Sequence, residues 1–256
     1  MKGAIGVFVF LISFFPIFGQ NSEEDSYLPY EKGLNQYELK NYTKALEYFL
    51  TAAKEGNFSA AFYLGMMYCD GLGVKQNYDV AVKWYRLGAE NDNQWCESNL
   101  GYMYYNGFGV KKDSKQAFVC YEIAAKKNLK IAQTRVADMY FSGEGVKKNL
   151  HQTFKWYKKA ADQGYTLAQY NLGVCYEKGQ GTKVDFNKAL NMFRTAAAKG
   201  DADAEFAIGA LNEKGEGVEE DISEAIKWYQ KAALHGNEKA KERLNQLRLK
   251  GAILEG

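Results

Sequence analysis

From residue 59 onward the chain repeats one pattern of apolar and polar positions. Residues 59–70 set Phe62, Leu64, Met67 and Tyr68 among small residues, at helical rather than alternating spacing. Gly71 and Gly73 then break the run, because glycine accepts the left-handed backbone that turns a chain sharply after a helix. Residues 79–89 predict a second helix, with Ala81, Trp84, Tyr85, Gly88 and Ala89 along one stripe. The unit then recurs: Gly71, Gly107, Gly143, Gly179 and Gly215 lie 36 residues apart, and so do Gly73, Gly109, Gly145, Gly181 and Gly217. Gly65, Gly101, Gly173 and Gly209 share a column in which Ala137 substitutes, and Tyr85, Tyr121, Tyr157, Phe193 and Tyr229 form an aromatic one. Five copies over residues 59–237 without an insertion predict an all-α chain. Neither helix of a unit can bury its apolar face alone, so the copies must stack into a solenoid.

The residues that carry this pattern also carry a resemblance. The run from Ala61 to Tyr68, then Gly71 to Val74, then Ala81 to Tyr85 closely resembles the Sel-one-like repeat family, a subgroup of the tetratricopeptide-like helical repeats. The resemblance implies a right-handed α-solenoid of antiparallel helix pairs that works as a protein-binding scaffold. Upstream, Ala45, Tyr48, Phe49 and Ala52 sit 36 residues before Ala81, Trp84, Tyr85 and Gly88. Gly33 to Ala45 is only 12 residues, however, where Gly65 to Ala81 is 16. Residues 20–58 therefore predict a linker and a tetratricopeptide-like helix pair that caps the array. Residues 238–256 predict a closing helix and tail, with Ala240, Leu244 and Leu247 inward and charges outward.

The first residues do not belong to the repeat. Lys2, an apolar run from Ala4 to Phe18 and the acidic Glu23, Glu24 and Asp25 read as a secretory signal peptide over residues 1–19. The rival reading is an uncleaved anchor, since Gly3 to Ser22 is an uncharged stretch of 20 residues. Membrane contact is expected only in that second case. Export to the periplasm, the cell envelope or the medium follows from the first. Two sequons, Asn41-Tyr42-Thr43 and Asn57-Phe58-Ser59, would matter only in a eukaryotic secretory pathway.

Composition and charge then narrow the function. A net charge of +2 gives no field that would argue for nucleic acid. Two histidines and four cysteines leave little for metal or nucleophile chemistry. His151 and His235 fall in columns that accept any polar residue, which marks them as surface positions in different repeats. The Gly-x-Gly loops do not continue into a phosphate-binding motif and follow no strand. No catalytic residue, cofactor or metal ligand is expected. Some cysteine-rich members of the resembled family bind or hydrolyse β-lactams, which makes a cell-envelope hydrolase or β-lactam-binding protein the alternative. The chain has neither Ser-x-x-Lys nor Lys-Thr-Gly, and it lacks that subgroup's regular cysteine pairs.

Among the cysteines, Cys96 and Cys120 lie 13 residues before and 11 after Gly109, at nearly one level of an antiparallel pair. A disulfide between them would close a loop of roughly 25 residues and contribute roughly 3 kcal/mol; two free thiols are the other reading. Cys175 stands where other copies have Met or Leu and reads as a buried apolar residue.

Carried over from the family, a partner groove is lined by first-helix positions that vary while their neighbours stay fixed. Those positions hold Phe62, Met66, Trp95, Tyr102, Tyr105, Asp138, Phe141 and Tyr170. Exposed aromatic rings of this kind anchor protein interfaces, although the same rings could instead pack between adjacent repeats. The expectation is an exported, non-enzymatic scaffold that binds a protein or peptide partner through an aromatic groove.

Overall fold

The computed structural model describes residues 28–249 and Gly251; the expected signal segment, residues 1–19, lies outside the described residues. The described chain is a run of helices and turns. They are α1 (Pro29–Glu38), α2 (Tyr42–Lys54), α3 (Ala60–Asp70), α4 (Tyr78–Glu90), α5 (Gln94–Asn106), α6 (Ser114–Lys126) and α7 (Lys130–Ser142). Then follow α8 (Leu150–Asp162), α9 (Thr166–Lys178), α10 (Phe186–Ala197), α11 (Ala202–Lys214), α12 (Ile222–Leu234) and α13 (Glu238–Leu249). Each helix packs on the next in sequence, which is the topology of a solenoid.

Local sequence sets both ends of the helices. The first helices α3, α5, α7, α9 and α11 each stop at a glycine with positive φ, from Gly71 at 72° to Gly215 at 68°. The second helices α4, α6, α8, α10 and α12 each start behind Asn77, Asp113, Asn149, Asp185 or Asp221. Those side chains accept hydrogen bonds from backbone N–H groups of the first turn, each stabilising its helix by about 1 kcal/mol. This Asn/Asp column keeps the 36-residue step and marks where each second helix begins.

The small first-helix column exists because an aromatic ring lies on it. A Cβ added at Gly65 would meet the Tyr85 ring at 2.3 Å, and one at Gly173 would meet Phe193 at 2.5 Å. Gly33 in α1 bears on Phe49 in the same way, so the short first pair packs as the later ones do. Only its turn differs: Leu39, Lys40 and Asn41 connect α1 to α2, with Lys40 taking the left-handed conformation at φ 59°. At the far end Ala240 and Leu247 of α13 are buried against α12 while Leu244 is half-buried, so the closing helix covers the last repeat as expected. No helix among the described residues is long and apolar enough to cross a membrane.

Candidate partner-binding face

Among the first helices, α3 touches α5 directly. The solvent-facing positions of the first helices follow one helical stripe, at Trp95, Asn99, Tyr102 and Asn106 in α5 and at Arg135, Asp138 and Ser142 in α7. Trp95 and Phe141 are exposed, at 39% and 40%. Phe62, Tyr102, Tyr105, Asp138 and Tyr170 are half-buried. Phe62 lies against Trp95 across the repeat boundary with ring centres 6.1 Å apart, so some of these rings also join adjacent repeats.

Met66 does not belong to this face. It is 1% exposed, whereas Tyr102 and Asp138 in the same column reach solvent. Met66 belongs to α3, which touches the next first helix, α5, directly. The neighbouring column was missed in the sequence: Asn99, Arg135 and Asn171 reach solvent where Ser98 and Thr134 are buried. A one-residue step along the helix decides which of two polar residues faces out, and composition alone does not distinguish them.

Two polar centres organise the middle of the face. Tyr157 donates to Asp138 Oδ1 at 2.6 Å, and Arg135 stands 3.5 Å from Oδ2. Burial pushes the Asp138 carboxyl up, and the Tyr157 hydrogen bond and Arg135 partly offset it. Burial likewise pushes up the hydroxyls of Tyr102, Tyr121 and Tyr165, and the Arg135 charge pulls each back. One repeat boundary is bridged by Glu144, which accepts from Ser114 Oγ and from Tyr105 Oη at 2.8 Å each. Those bonds hold the Glu144 carboxyl below its ordinary value, and Lys112 adds to the effect. These positions combine aromatic rings with cation and carboxylate set close together, rather than a field of one sign.

A family model for the Sel1 repeat matches residues 30–57, 58–93, 96–129, 130–165, 166–201 and 202–237. The chain belongs to the Sel1 repeat family. The first matched segment is the helix pair with the short turn, so it counts as a Sel1 repeat beside the five of regular length. A Sel1 repeat protein from Oxalobacter formigenes is 30% identical with a TM-score of 0.81, covering 86% of this chain and 88% of that one. A protective antigen of uropathogenic Escherichia coli strains, described as displaying an SLR fold, gives 30% identity and a TM-score of 0.81 over 88% of this chain. The match covers 49% of that antigen, so the chain spans about half its length. Among curated proteins none matches the sequence. Sel1 repeats form a scaffold of the kind that binds protein partners.

The four cysteines are free thiols in the structure, Cys96 and Cys120 among them. Cys96 Sγ lies against Gly88 of the preceding repeat, where an added Cβ would come within 2.2 Å of it. The sulfur fills the space that this glycine leaves, so it faces α4 rather than α6. Burial pushes the Cys96 thiol up to about 12 and the Cys120 thiol up to about 11, which keeps both protonated and poorly nucleophilic. No group of three or more His, Cys, Asp or Glu among the described residues is placed to hold a metal.

His151 is exposed, as its column predicts. His235 also reaches solvent, but it has a partner that the sequence did not reveal. Its Nδ1 lies 2.8 Å from Oε2 of Glu205, which is fully buried and also meets Lys231 at 3.0 Å. The same relation, 30 residues apart, occurs in every regular repeat from α5 onward. Lys127 donates to Glu97 at 2.6 Å, Gln163 to Gln133 at 2.7 Å, and Lys199 to Gln169 at 3.2 Å. Lys127 and Lys199 also donate to the backbone oxygens of Asp92 and Gly164, in the loop that enters the repeat. Each clasp ties the start of one repeat to its end, and those of Lys127, Gln163 and Lys199 also reach the corner before it.

Proposed function

We propose that the chain is an exported, non-enzymatic scaffold that binds a protein or peptide partner along its inner face. The observation that supports this reading is the exposure of Trp95 and Phe141 on first helices of different repeats, with Tyr102 and Tyr105 between them. Large rings left partly in water on neighbouring helices are typical interface anchors. The mixed cation and carboxylate centres at Arg135–Asp138 and Lys112–Glu144 favour a ligand read by aromatic and hydrogen-bond contacts rather than by net charge. Export follows from the signal-like residues 1–19.

Selection of a random peptide library on the full chain tests the reading. Peptides that bind the wild type should lose at least about tenfold in affinity with Tyr102→Ala combined with Phe141→Ala, at unchanged helical circular dichroism. Peptides that bind both proteins equally would move the partner site elsewhere.

A further inference from the structure

A depression of about 680 Å³ opens between two successive inter-repeat loops, Gly56–Ser59 and Asp92–Trp95. The loops occupy the same place in consecutive repeats, and Asn91 and Gln94 complete the lining. We propose that this depression binds a small neutral saccharide.

The amides carry the argument. Asn57 Oδ1 accepts from the Ser59 backbone N–H at 3.2 Å, and Asn93 Oδ1 caps α5 by accepting from Trp95 and Cys96 at 3.0 and 3.1 Å. Asn91 is held from its other end, donating Nδ2 to the Leu87 carbonyl at 2.8 Å. Each side chain is fixed by one amide atom, which leaves the NH₂ of Asn57 and Asn93 and the oxygen of Asn91 for a ligand. Gln94 adds a whole amide and Ser59 a hydroxyl. Sugar hydroxyls donate and accept at once, so a fixed set of both donors and acceptors matches them. The ordering cost is already met by the backbone bonds.

Two further features select against other ligands. Phe58 and the exposed Trp95 line the same depression, with Phe62 resting against Trp95. An indole face packs on the C–H face of a pyranose ring and repels an anion. Asp92, the single charged residue of the lining, is engaged by Lys127 at 2.5 Å, so the lining offers no uncompensated charge. The next loop does not repeat the set: it reads Asn128, Leu129, Lys130 and Ile131, with Leu129 buried. The amide set is therefore not repeated at the next junction.

Saturation-transfer NMR on the full chain with cellobiose, lactose and N,N′-diacetylchitobiose, followed by tryptophan fluorescence titration, tests the proposal. At least one disaccharide should bind with a Kd of about 1–10 mM, the weak range expected of a shallow polar site. Trp95→Ala and Gln94→Ala should each weaken it by about fivefold or more, and Phe141→Ala, outside the depression, should leave it unchanged. No transfer to any of the three sugars would overturn the proposal, as would binding that survives both variants. Trp95 also belongs to the proposed partner face, so Gln94→Ala separates the two readings. A selected peptide that is lost in Gln94→Ala but kept in Phe141→Ala would assign the depression to the peptide instead.

Discussion

Two kinds of loop alternate along the array, and they are held by different means. The loop inside each repeat, from a first helix to a second, is held by backbone contact. A Cβ added at Gly145 would stand 2.1 Å from the Ser114 carbonyl oxygen, and one at Gly181 would stand 2.0 Å from that of Leu150. In each case the loop rests on the start of the second helix one repeat earlier. The loop between repeats also needs a left-handed residue, but its corner faces open space: an added Cβ at Gly56, Gly200 or Gly236 meets nothing within 4 Å. There Asp92 and Asn128 replace glycine at φ 66° and 70°, and side-chain clasps fix the loop. Positive φ alone therefore does not explain an unvarying glycine. Close contact does.

The comparison is broken most severely at Gly145. Gly145→Ala combines a left-handed alanine with a clash against backbone that cannot move aside, and should cost about 3–5 kcal/mol in urea unfolding. A chain as stable as the wild type would show that the loop is not seated on the preceding repeat. Next comes the clasp. Lys127→Ala leaves the buried Glu97 carboxylate without its cation and should cost about 2 kcal/mol, below the range for fully buried pairs because Lys127 is partly exposed. Replacing both partners with glutamine copies the Gln133–Gln163 clasp and should return stability to within about 1 kcal/mol of wild type. Failure of that rescue would mean that this junction needs the charge and not only the hydrogen bond. The smallest effect belongs to Gly200→Asn, expected within about 0.5 kcal/mol, because asparagine tolerates the left-handed region and the corner is open.

The same contrast explains what could be read from the chain. The 36-residue step was legible because backbone contact leaves only glycine in the Gly109 column, and ring packing leaves only glycine or alanine in the Gly65 column. The clasps were not, because they conserve a hydrogen bond rather than a residue: the pair is Glu–Lys, then Gln–Gln, then Gln–Lys, then Glu–His. The cap column from Asn77 to Asp221 was visible in principle, since it alternates only Asn and Asp at the same step. Level along a helix was also easier to infer than direction around it. Cys96 and Cys120 were placed by level, but the space over Gly88 decided where the sulfur points. Met66 shares its column with the half-buried Tyr102 and Asp138, yet it is buried. Trp95 and Phe141 are exposed and Tyr102 and Tyr105 half-buried, a mixture that the column pattern alone does not specify.

The seating of each Gly-x-Gly loop on the previous repeat bears on how such a chain lengthens. A tandem duplication of any 36-residue stretch copies both the loop and the helix start that receives it. The new unit arrives with its own landing site and creates one for its successor. Gain or loss of a whole unit leaves every junction chemically complete, whereas an insertion of any other length strands a loop above the wrong residue. Array length can therefore drift by whole units while the spacing within each unit stays locked.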